Sequence, residues 1–173
     1  MTSDAVAAAT KSETEQSAET SRDSLVLSAG RVEAELWLPR PLDEVFAFFA
    51  DAANLERITP PWLRFRILTP TPIRMRVGTL IDYGLTVHRI PVRWRSEITE
   101  WDPPHAFTDE QRRGPYRTWV HRHLFRAERG GTRVVDFVDY RVWGGRVFDR
   151  LFVRRDVERI FRYRHGRLDA LGG

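Results

Sequence analysis

The chain of 173 residues has the length of a single domain and contains no cysteine, so disulfides, thiolate metal sites and a cysteine nucleophile are excluded. No segment approaches the roughly 18 consecutive apolar residues of a membrane-spanning helix, although peripheral contact with a membrane stays open. The formal net charge is +4, and Lys11 is the only lysine among 28 basic residues. We interpret the arginines as a composition bias of the source, so that most of them lie on a solvated surface. The alternative is that they bind an anionic partner.

Residues 1–24 differ in composition from the rest of the chain. They are rich in Ala, Ser, Thr and Glu, show no apolar period and contain five acidic residues against Lys11 and Arg22. We predict a disordered acidic tail over 1–24, followed by one domain over 25–173. Because no cationic segment precedes the short alanine run, a secretory signal is not expected, and we expect the protein to be cytoplasmic.

Two different apolar periods predict the first regular elements. Residues 31–38 alternate between apolar and charged side chains, which is typical of a strand. Pro41 suits the first turn of a helix, and apolar residues at helical spacing predict a helix over 41–51. A second short helix is predicted over 54–59, where a Pro-Pro pair ends it.

The middle of the chain is predicted to form antiparallel strands. A strand through Ile67 is followed by strands over 79–87 and 92–101. The stretch 107–140 alternates in two-residue steps and is divided by a Gly-Pro and a Gly-Gly turn signal. It therefore predicts a three-stranded meander.

A long amphipathic helix is predicted from Arg146 to about Leu168. Its apolar stripe is Val147, Phe148, Leu151, Phe152, Val157, Ile160 and Phe161. An antiparallel sheet with one apolar face needs a cover, and this helix is the candidate. We therefore predict an α+β, helix-grip type of fold, in which a curved antiparallel sheet of about six to seven strands wraps around the C-terminal helix. Two short helices follow the first strand, and a cavity is expected between sheet and helix.

Pairing across the turns places polar residues of the meander on the inner face of the sheet. Centring each turn predicts the cross-strand rows Ile81–Ile98–Asp109–His121–Tyr140 and Tyr83–Ser96–Gln111–Trp119. The centre at Gly130-Gly131 sets His121 beside Tyr140 and His123 beside Val138. A slip by two residues would keep these faces, whereas a slip by one would invert them.

Six polar residues therefore point toward a mostly apolar interior: Asp109, Gln111, His121, His123, Asp136 and Tyr140. An unpaired buried polar group costs roughly 1–3 kcal/mol, so these groups must pair with one another, with water or with a ligand. Three interpretations stay open at this point. They are a satisfied internal network, the polar end of a ligand pocket, and acid–base catalysis inside such a pocket.

Several segments resemble the SRPBCC/START-like superfamily: NLERITPPWLRFRI, GTLIDYGL, IPVRWRSEI, WDPPHAFTDEQRRGPYRTWVHRHLF and GGTRVVDFVDY. More narrowly, they resemble its polyketide cyclase/dehydrase-type and coenzyme Q-binding-like members. The resemblance implies a helix-grip fold with a deep hydrophobic cavity between the sheet and the C-terminal helix. It implies no single function, because the superfamily includes lipid and hormone binders, aromatase/cyclases and quinone chaperones. Relatives also occur beside short-chain dehydrogenase-like epimerases, and no catalytic motif can be transferred residue by residue.

We therefore predict a binder of a hydrophobic small molecule such as a polyketide, an isoprenoid quinone or a lipid. The predicted lining is Tyr83, Trp94, Ser96, Trp119, His123, Phe125, Val138, Phe148 and Phe152, with Asp109, Gln111, His121 and Tyr140 at the polar end. One alternative is a cyclase or dehydratase in which His121, oriented by Asp109, moves protons while Tyr140 holds an enolate oxygen. Another is an interaction module for a short-chain dehydrogenase-like protein.

No cofactor and no metal ion is expected. His121 and His123 with Asp109 or Asp136 could be read as a metal site. However, neighbours two apart on a strand make poor facial ligands without a third group, and no third histidine is nearby. A nucleic-acid partner is not expected either. The aromatic residues are predicted on the inner face or in the helix stripe, and not between exposed arginines where bases could stack.

Overall fold

A computed structural model describes residues 23–172, apart from the side chains of Arg146, Phe148 and Leu171. Its strands are β1 (Ser24–Ser28), β2 (Arg31–Leu38), β3 (Arg66–Ile67), β4 (Leu80–Val87), β5 (Ile90–Asp102), β6 (Ala106–Arg113), β7 (Thr118–Glu128) and β8 (Gly131–Arg141). Its α-helices are α1 (Leu42–Ala50), α2 (Leu55–Ile58), α3 (Gly145–Phe148) and α4 (Arg154–Gly172). Short 3-10 turns lie at Ala52–Asn54 and Pro61–Leu63, and a π-helical segment lies at Asp149–Val153.

The eight strands form one antiparallel sheet in the order β1-β2-β8-β7-β6-β5-β4-β3. Strands β3 to β8 pair with their neighbours along the chain, and β2 pairs with β8. The predicted α+β class and helix-grip arrangement are confirmed, with eight strands in place of six or seven. Within residues 23–172, no helix is both long enough and apolar enough to span a membrane.

Buried side chains hold the helices on the inner face of the sheet. Phe46 and Phe49 of α1 meet Phe125 of β7 edge to face, with ring centroids 5.4 and 5.1 Å apart. Val157 and Phe161 of α4 are buried against β2 and β8. Burying one side chain of this size stabilises the fold by roughly 1.5–3 kcal/mol. These contacts fix α1 and α4 over two different parts of the sheet.

An additional edge strand precedes the predicted first strand. β1 begins at Ser24, the last residue of the expected tail, and pairs with β2. Asp23 joins the same edge, because its Oδ1 accepts a hydrogen bond from the backbone N–H of Trp37 at 3.0 Å. Residues 1–22, the rest of the expected tail, lie outside the described residues.

Two hairpin turns lie one residue earlier in the chain than the predicted pairs required, which were centred on Arg89-Ile90 and on Gly130-Gly131. His88 and Arg89 have φ angles of 49° and 69°, and Arg129 and Gly130 have φ angles of 52° and 73°. Positive φ at both central residues is the type I′ geometry, which matches the twist of two-residue hairpins. The turn before β8 is therefore centred on Arg129-Gly130 and not on Gly130-Gly131, so every predicted pair there moves by two residues on the same face.

The predicted rows are corrected accordingly. The observed pairs are Ile81 with Ser96, Tyr83 with Trp94, Trp119 with Tyr140, His121 with Val138 and His123 with Asp136. The predicted pairs Ile81–Ile98, Tyr83–Ser96, His121–Tyr140 and His123–Val138 are therefore wrong. The pairing of Asp109 with Ile98 on one side and His121 on the other is as predicted.

The predicted single C-terminal helix is interrupted. The π-helical segment Asp149–Val153 separates α3 from α4 and breaks the 3.6-residue period on which the predicted stripe depended. Val147, Leu151 and Phe152 are 71 %, 58 % and 54 % exposed. The prediction of one continuous stripe against the sheet is wrong for Val147 and Leu151, whereas Phe152 lies on the side of the helix that faces the sheet.

Candidate functional site

A large cavity lies between the inner face of the sheet and α4. Its volume is about 1010 Å³. Small-molecule sites occupy roughly 300–1,000 Å³, so this cavity is at the top of that range. The residues of the predicted site that line it are Tyr83, Trp94, Ser96, Asp109, Trp119, His121, His123 and Phe152.

One side of the cavity is an aromatic wall formed by Tyr83, Trp94, Tyr116 and Trp119. Trp94 and Trp119 meet edge to face with ring centroids 5.4 Å apart, and Tyr116 lies 4.7 Å from Trp119. The strand residues share this face because side chains alternate along a strand. Tyr116 was missed by the sequence analysis, since it lies in the loop between β6 and β7, where no period indicates a direction.

A polar cluster of Asp109, His121, His123 and Asp136 forms one region of the inner face, brought together by the register of β6, β7 and β8. Nδ1 of His123 lies 2.6 Å from Oδ1 of Asp136, and its Nε2 lies 3.6 Å from Oδ2 of Asp109. Nδ1 of His121 lies 3.8 Å from Oδ2 of Asp109, and its Nε2 lies 3.6 Å from Oδ1 of Asp136. Each imidazole therefore stands between the same two carboxylates.

The pKa values of the two histidines of the polar cluster are shifted in opposite directions. Burial lowers the pKa of His121, and the neighbouring His123 lowers it further. Burial also acts to lower the pKa of His123, but the carboxylates of Asp136 and Asp109 outweigh it and raise that pKa. The arrangement therefore favours a neutral His121 beside a charged His123.

Both carboxylates of the polar cluster are held in the charged form. Burial acts to raise the pKa of Asp136, but the charges of His123 and Arg164 hold it well below its usual value. Burial acts in the same direction on Asp109, but the neighbouring His123 and His121, together with the hydroxyl of Ser96, lower its pKa. The inner face of the sheet thus contains buried charges that are paired with one another.

Arg164 of α4 brings a further positive charge to the cavity. Its guanidinium carbon lies 5.5 Å from the centre of the Phe49 ring, and its buried Nε has no hydrogen-bond partner among the described residues. The sequence analysis missed Arg164. A signal was present, because position 164 continues the helical spacing of Val157 and Phe161 and places an arginine on an apolar stripe.

Phe125 and Val138 were predicted to line the cavity and do not line it. Phe125 is instead buried among the phenylalanines of α1, at ring-centroid distances of 5.1 and 5.4 Å. Val138 is fully buried in the cluster that joins β2 and β8 to α4. Both belong to the core that supports the site. The side chain of Phe148 lies outside the described part of the structure.

Gln111 and Tyr140 were predicted at the polar end of the cavity and do not line it either. Gln111 holds the loop after β6, because its Nε2 donates a hydrogen bond to the backbone oxygen of Tyr116 at 2.8 Å. The two-residue shift moves Tyr140 away from His121. Burial raises the pKa of the Tyr140 hydroxyl, and Asp149 raises it further.

The chain matches the model of one protein family over residues 38–162, the family described as polyketide cyclase / dehydrase and lipid transport. It belongs to this family. The predicted resemblance to the SRPBCC superfamily is thereby confirmed, and the chain is a hydrophobic-ligand-binding domain of the polyketide cyclase/dehydrase type. No curated protein sequence matches the chain.

Several solved structures share the fold of this polyketide cyclase/dehydrase-type domain. Protein Ms6760 from Mycobacterium smegmatis is 18 % identical, with a TM-score of 0.63 and coverage of 87 % of this chain and 96 % of that one. A protein from Arthrobacter aurescens is 16 % identical, with a TM-score of 0.67 and coverage of 86 % and 90 %. Ginseng major latex-like protein 151 from Panax ginseng is 12 % identical, with a TM-score of 0.61 and coverage of 83 % and 97 %. At such identities the likeness shows the fold alone.

Proposed function

We propose that this protein binds one amphiphilic small molecule, of the polyketide, isoprenoid quinone or lipid class, in the cavity under α4. The apolar body of the ligand lies against the aromatic wall. Its oxygen-bearing end faces the polar cluster, within reach of Asp109 and His121. Interaction with a short-chain dehydrogenase-like protein stays a prediction.

The uneven distribution of polarity in the cavity carries this proposal. Most of its lining is aromatic or aliphatic. Asp109, His121 and His123 of the polar cluster are ionisable groups at its buried inner face, whereas His88, Arg89 and Arg159 line it where it is exposed to solvent. Nε2 of His121 is buried without a hydrogen-bond partner among the described residues. An unpaired buried group costs roughly 1–3 kcal/mol, and a ligand oxygen in this region would recover part of that free energy. A molecule with one polar end matches both regions.

Native mass spectrometry of the untagged protein, purified from its own host, tests the proposal. We expect one bound molecule per chain that organic solvent releases and that has the mass of a polyketide, quinone or lipid. A chain that stays free of ligand, including after incubation with a ubiquinone and a fatty-acid series, would contradict the proposal.

Filling the cavity distinguishes binding inside it from binding elsewhere. Leu85 lines the cavity from β4, whereas Leu80 of the same strand is 46 % exposed and faces the other side. We expect Leu85→Trp to weaken the binding of a fluorescent hydrophobic dye at least about tenfold, because the indole occupies the ligand's volume. Leu80→Trp is the matched control and should bind as the wild type does. Equal dye affinities in the two variants would place the dye outside the cavity.

A second candidate function is proton transfer in the cyclisation or dehydration of a polyketide. One observation favours it: the imidazole of His121 lines the cavity with Nδ1 3.8 Å from the carboxylate of Asp109. Tyr140 has no part in this candidate, because it does not line the cavity.

His121→Gln separates the two candidates. If His121 transfers protons, turnover of a poly-β-ketone should be lost while its affinity changes little. If His121 only orients a ligand, affinity should fall by about 1–2 kcal/mol, the scale of one hydrogen bond, and the wild type should show no turnover.

A further inference from the structure

Three side chains of the polar cluster bring ligand atoms close together that are not joined by hydrogen bonds. One nitrogen of His121, one nitrogen of His123 and one carboxylate oxygen of Asp109 all lie within 4.8 Å of one another. Nδ1 of His121 and Nε2 of His123 lie 3.8 and 3.6 Å from Oδ2 of Asp109, which is too long for hydrogen bonds.

We propose that Asp109, His121 and His123 form a binding site for a divalent transition-metal ion, of which zinc is the one we test. Two imidazole nitrogens and one carboxylate oxygen are a common set of protein ligands in zinc sites that keep a position open. From the sequence, a metal was not expected, although Asp109 or Asp136 was a candidate third group, because neighbours two apart on a strand make poor facial ligands. The structure places an oxygen of Asp109, on the neighbouring strand β6, within 4.8 Å of a nitrogen of each histidine.

The spacing of the donor atoms suits such an ion. Two ligand atoms bound at about 2.1 Å to a tetrahedral zinc ion are about 3.4 Å apart. The observed 3.6 and 3.8 Å exceed that value by a few tenths of an ångström. The two imidazole nitrogens lie within 4.8 Å of each other, so the three donor atoms must move closer together when they bind an ion.

A second layer of contacts already orients the ligands. Oδ1 of Asp136 lies 2.6 Å from Nδ1 of His123, which leaves Nε2 of that imidazole directed at Asp109. The hydroxyl of Ser96 donates a hydrogen bond to Oδ1 of Asp109 at 3.0 Å, which leaves Oδ2 for the ion. A carboxylate behind a histidine is the usual support for a metal ligand, because it fixes the tautomer and raises the basicity of the bound nitrogen.

An independent observation concerns the other imidazole. His121 is 6 % exposed, and its Nε2 has no hydrogen-bond partner among the described residues. When Nδ1 binds an ion, Nε2 carries the proton and faces Oδ1 of Asp136, which lies 3.6 Å away. Coordination therefore provides a role for both nitrogens of a buried ring that otherwise lacks one.

The fourth position of the ion faces the cavity, because all three protein ligands line it. With both imidazoles neutral, the carboxylates of Asp109 and Asp136 balance the two charges of the ion, and Arg164 leaves one positive charge at the site. An anionic oxygen donor, such as an enolate or a carboxylate, is the ligand that this charge favours. Metal binding itself is independent of the proposed function and can fail or succeed separately from it.

Titration of the untagged protein, stripped with a chelator and dialysed, tests the site. Isothermal titration with zinc chloride should show one ion bound per chain. Cobalt chloride should give the intense visible absorption of four- or five-coordinate cobalt, in place of the weak absorption of the hydrated ion. Asp109→Asn should weaken zinc binding at least about tenfold, and Asp136→Asn, which removes a positioning residue, about 10- to 100-fold.

Two matched controls remove histidines outside the cluster. His88→Gln takes away the exposed imidazole paired with Asp156, and His105→Gln takes away an exposed imidazole in the β5–β6 turn. Both should bind zinc as the wild type does. The proposal is overturned if the wild type binds no zinc, if its cobalt spectrum is that of the hydrated ion, or if binding survives Asp109→Asn but is lost in His88→Gln. Because the cobalt spectrum is recorded on the wild type, the test holds even where a variant fails to fold.

Discussion

Two histidine–aspartate pairs in this protein have the same contact distance in different surroundings. In the polar cluster, Nδ1 of His123 lies 2.6 Å from Oδ1 of Asp136, with side chains 4 % and 5 % exposed. Where the β4–β5 turn meets α4, Nε2 of His88 also lies 2.6 Å from Oδ2 of Asp156, with side chains 65 % and 40 % exposed. The comparison therefore separates the effect of burial from the effect of contact geometry.

Water decides how much each contact contributes. Around the buried pair the effective dielectric is low, so charges act strongly on one another. The raised pKa of His123 reflects this: burial is the largest single effect and acts to lower that pKa, but the carboxylates of Asp136 and Asp109 together outweigh it. Exposed ion pairs are screened and contribute roughly 0–1 kcal/mol. A short His–Asp distance alone therefore identifies neither a stabilising contact nor a functional site.

The largest difference is expected when the aspartate of each pair is neutralised. Asp136→Asn keeps the side-chain shape but leaves His123 and Arg164 without their buried anion, so the free energy of unfolding should fall by about 3 kcal/mol. Asp156→Asn, the exposed counterpart, should lower it by less than about 1 kcal/mol. Urea denaturation in the presence of a chelator measures both. Similar losses would show that burial does not distinguish the two pairs.

Double-mutant cycles measure the coupling free energy within each histidine–aspartate pair, separately from the other contacts of its two residues. Combining His123→Gln with Asp136→Asn should give a coupling free energy of about 1–3 kcal/mol, because their 2.6 Å contact is shorter than the 3.6 Å contacts with Asp109 and His121. His88→Gln with Asp156→Asn should couple by less than about 0.5 kcal/mol. A larger coupling at the exposed pair would mean that the β4–β5 turn depends on this contact to stay on α4.

The smallest expected effect is on how the free energy of unfolding depends on pH. It concerns a histidine whose pKa is lowered by burial more than nearby acidic groups raise it. Burial lowers the pKa of His165 in α4 despite the nearby acidic groups, the opposite of the shift at His123. Below an unfolded-state pKa of about 6.5, the unfolded chain binds this proton more readily than the folded chain. The free energy of unfolding should therefore decrease as the pH falls from about 6.5 through the lowered pKa.

His165→Gln removes this titration. Urea denaturation between about pH 7.5 and pH 5 should show a shallower loss of stability in the variant than in the wild type. His105→Gln, in an exposed turn, should keep the slope of the wild type. An unchanged slope in His165→Gln would assign the acid sensitivity to other groups.

The sequence predicted the face that a residue occupies better than the neighbour it has. Two-residue alternation placed His121 and His123 on the inner face, and the structure has them there. The neighbour of His121 on β8 was predicted wrongly as Tyr140, because the hairpin turns at Arg129-Gly130. Arginine at positive φ is uncommon, so the next Gly-Gly pair was the more natural centre from composition alone.

The C-terminal region was the least predictable part of the site. The sequence carries no signal of the π-helical segment, so a regular 3.6-residue period was assumed throughout the helix. Val147 and Leu151 were therefore predicted to face the sheet, whereas both are exposed. Arg164 is a charged residue at a position of the apolar stripe. From the sequence this does not by itself indicate a site, because a long arginine side chain often covers apolar surface while its charge stays in water.

The tight turn at Arg129-Gly130 determines which side chains of β7 and β8 become neighbours, and Gly130-Gly131 is an alternative centre one residue further on. Moving the centre there would replace Val138 by Tyr140 beside His121 and leave every side chain on its own face. A descendant of this protein could therefore acquire a different cavity chemistry through changes in its loops, while its strands kept every residue they have now.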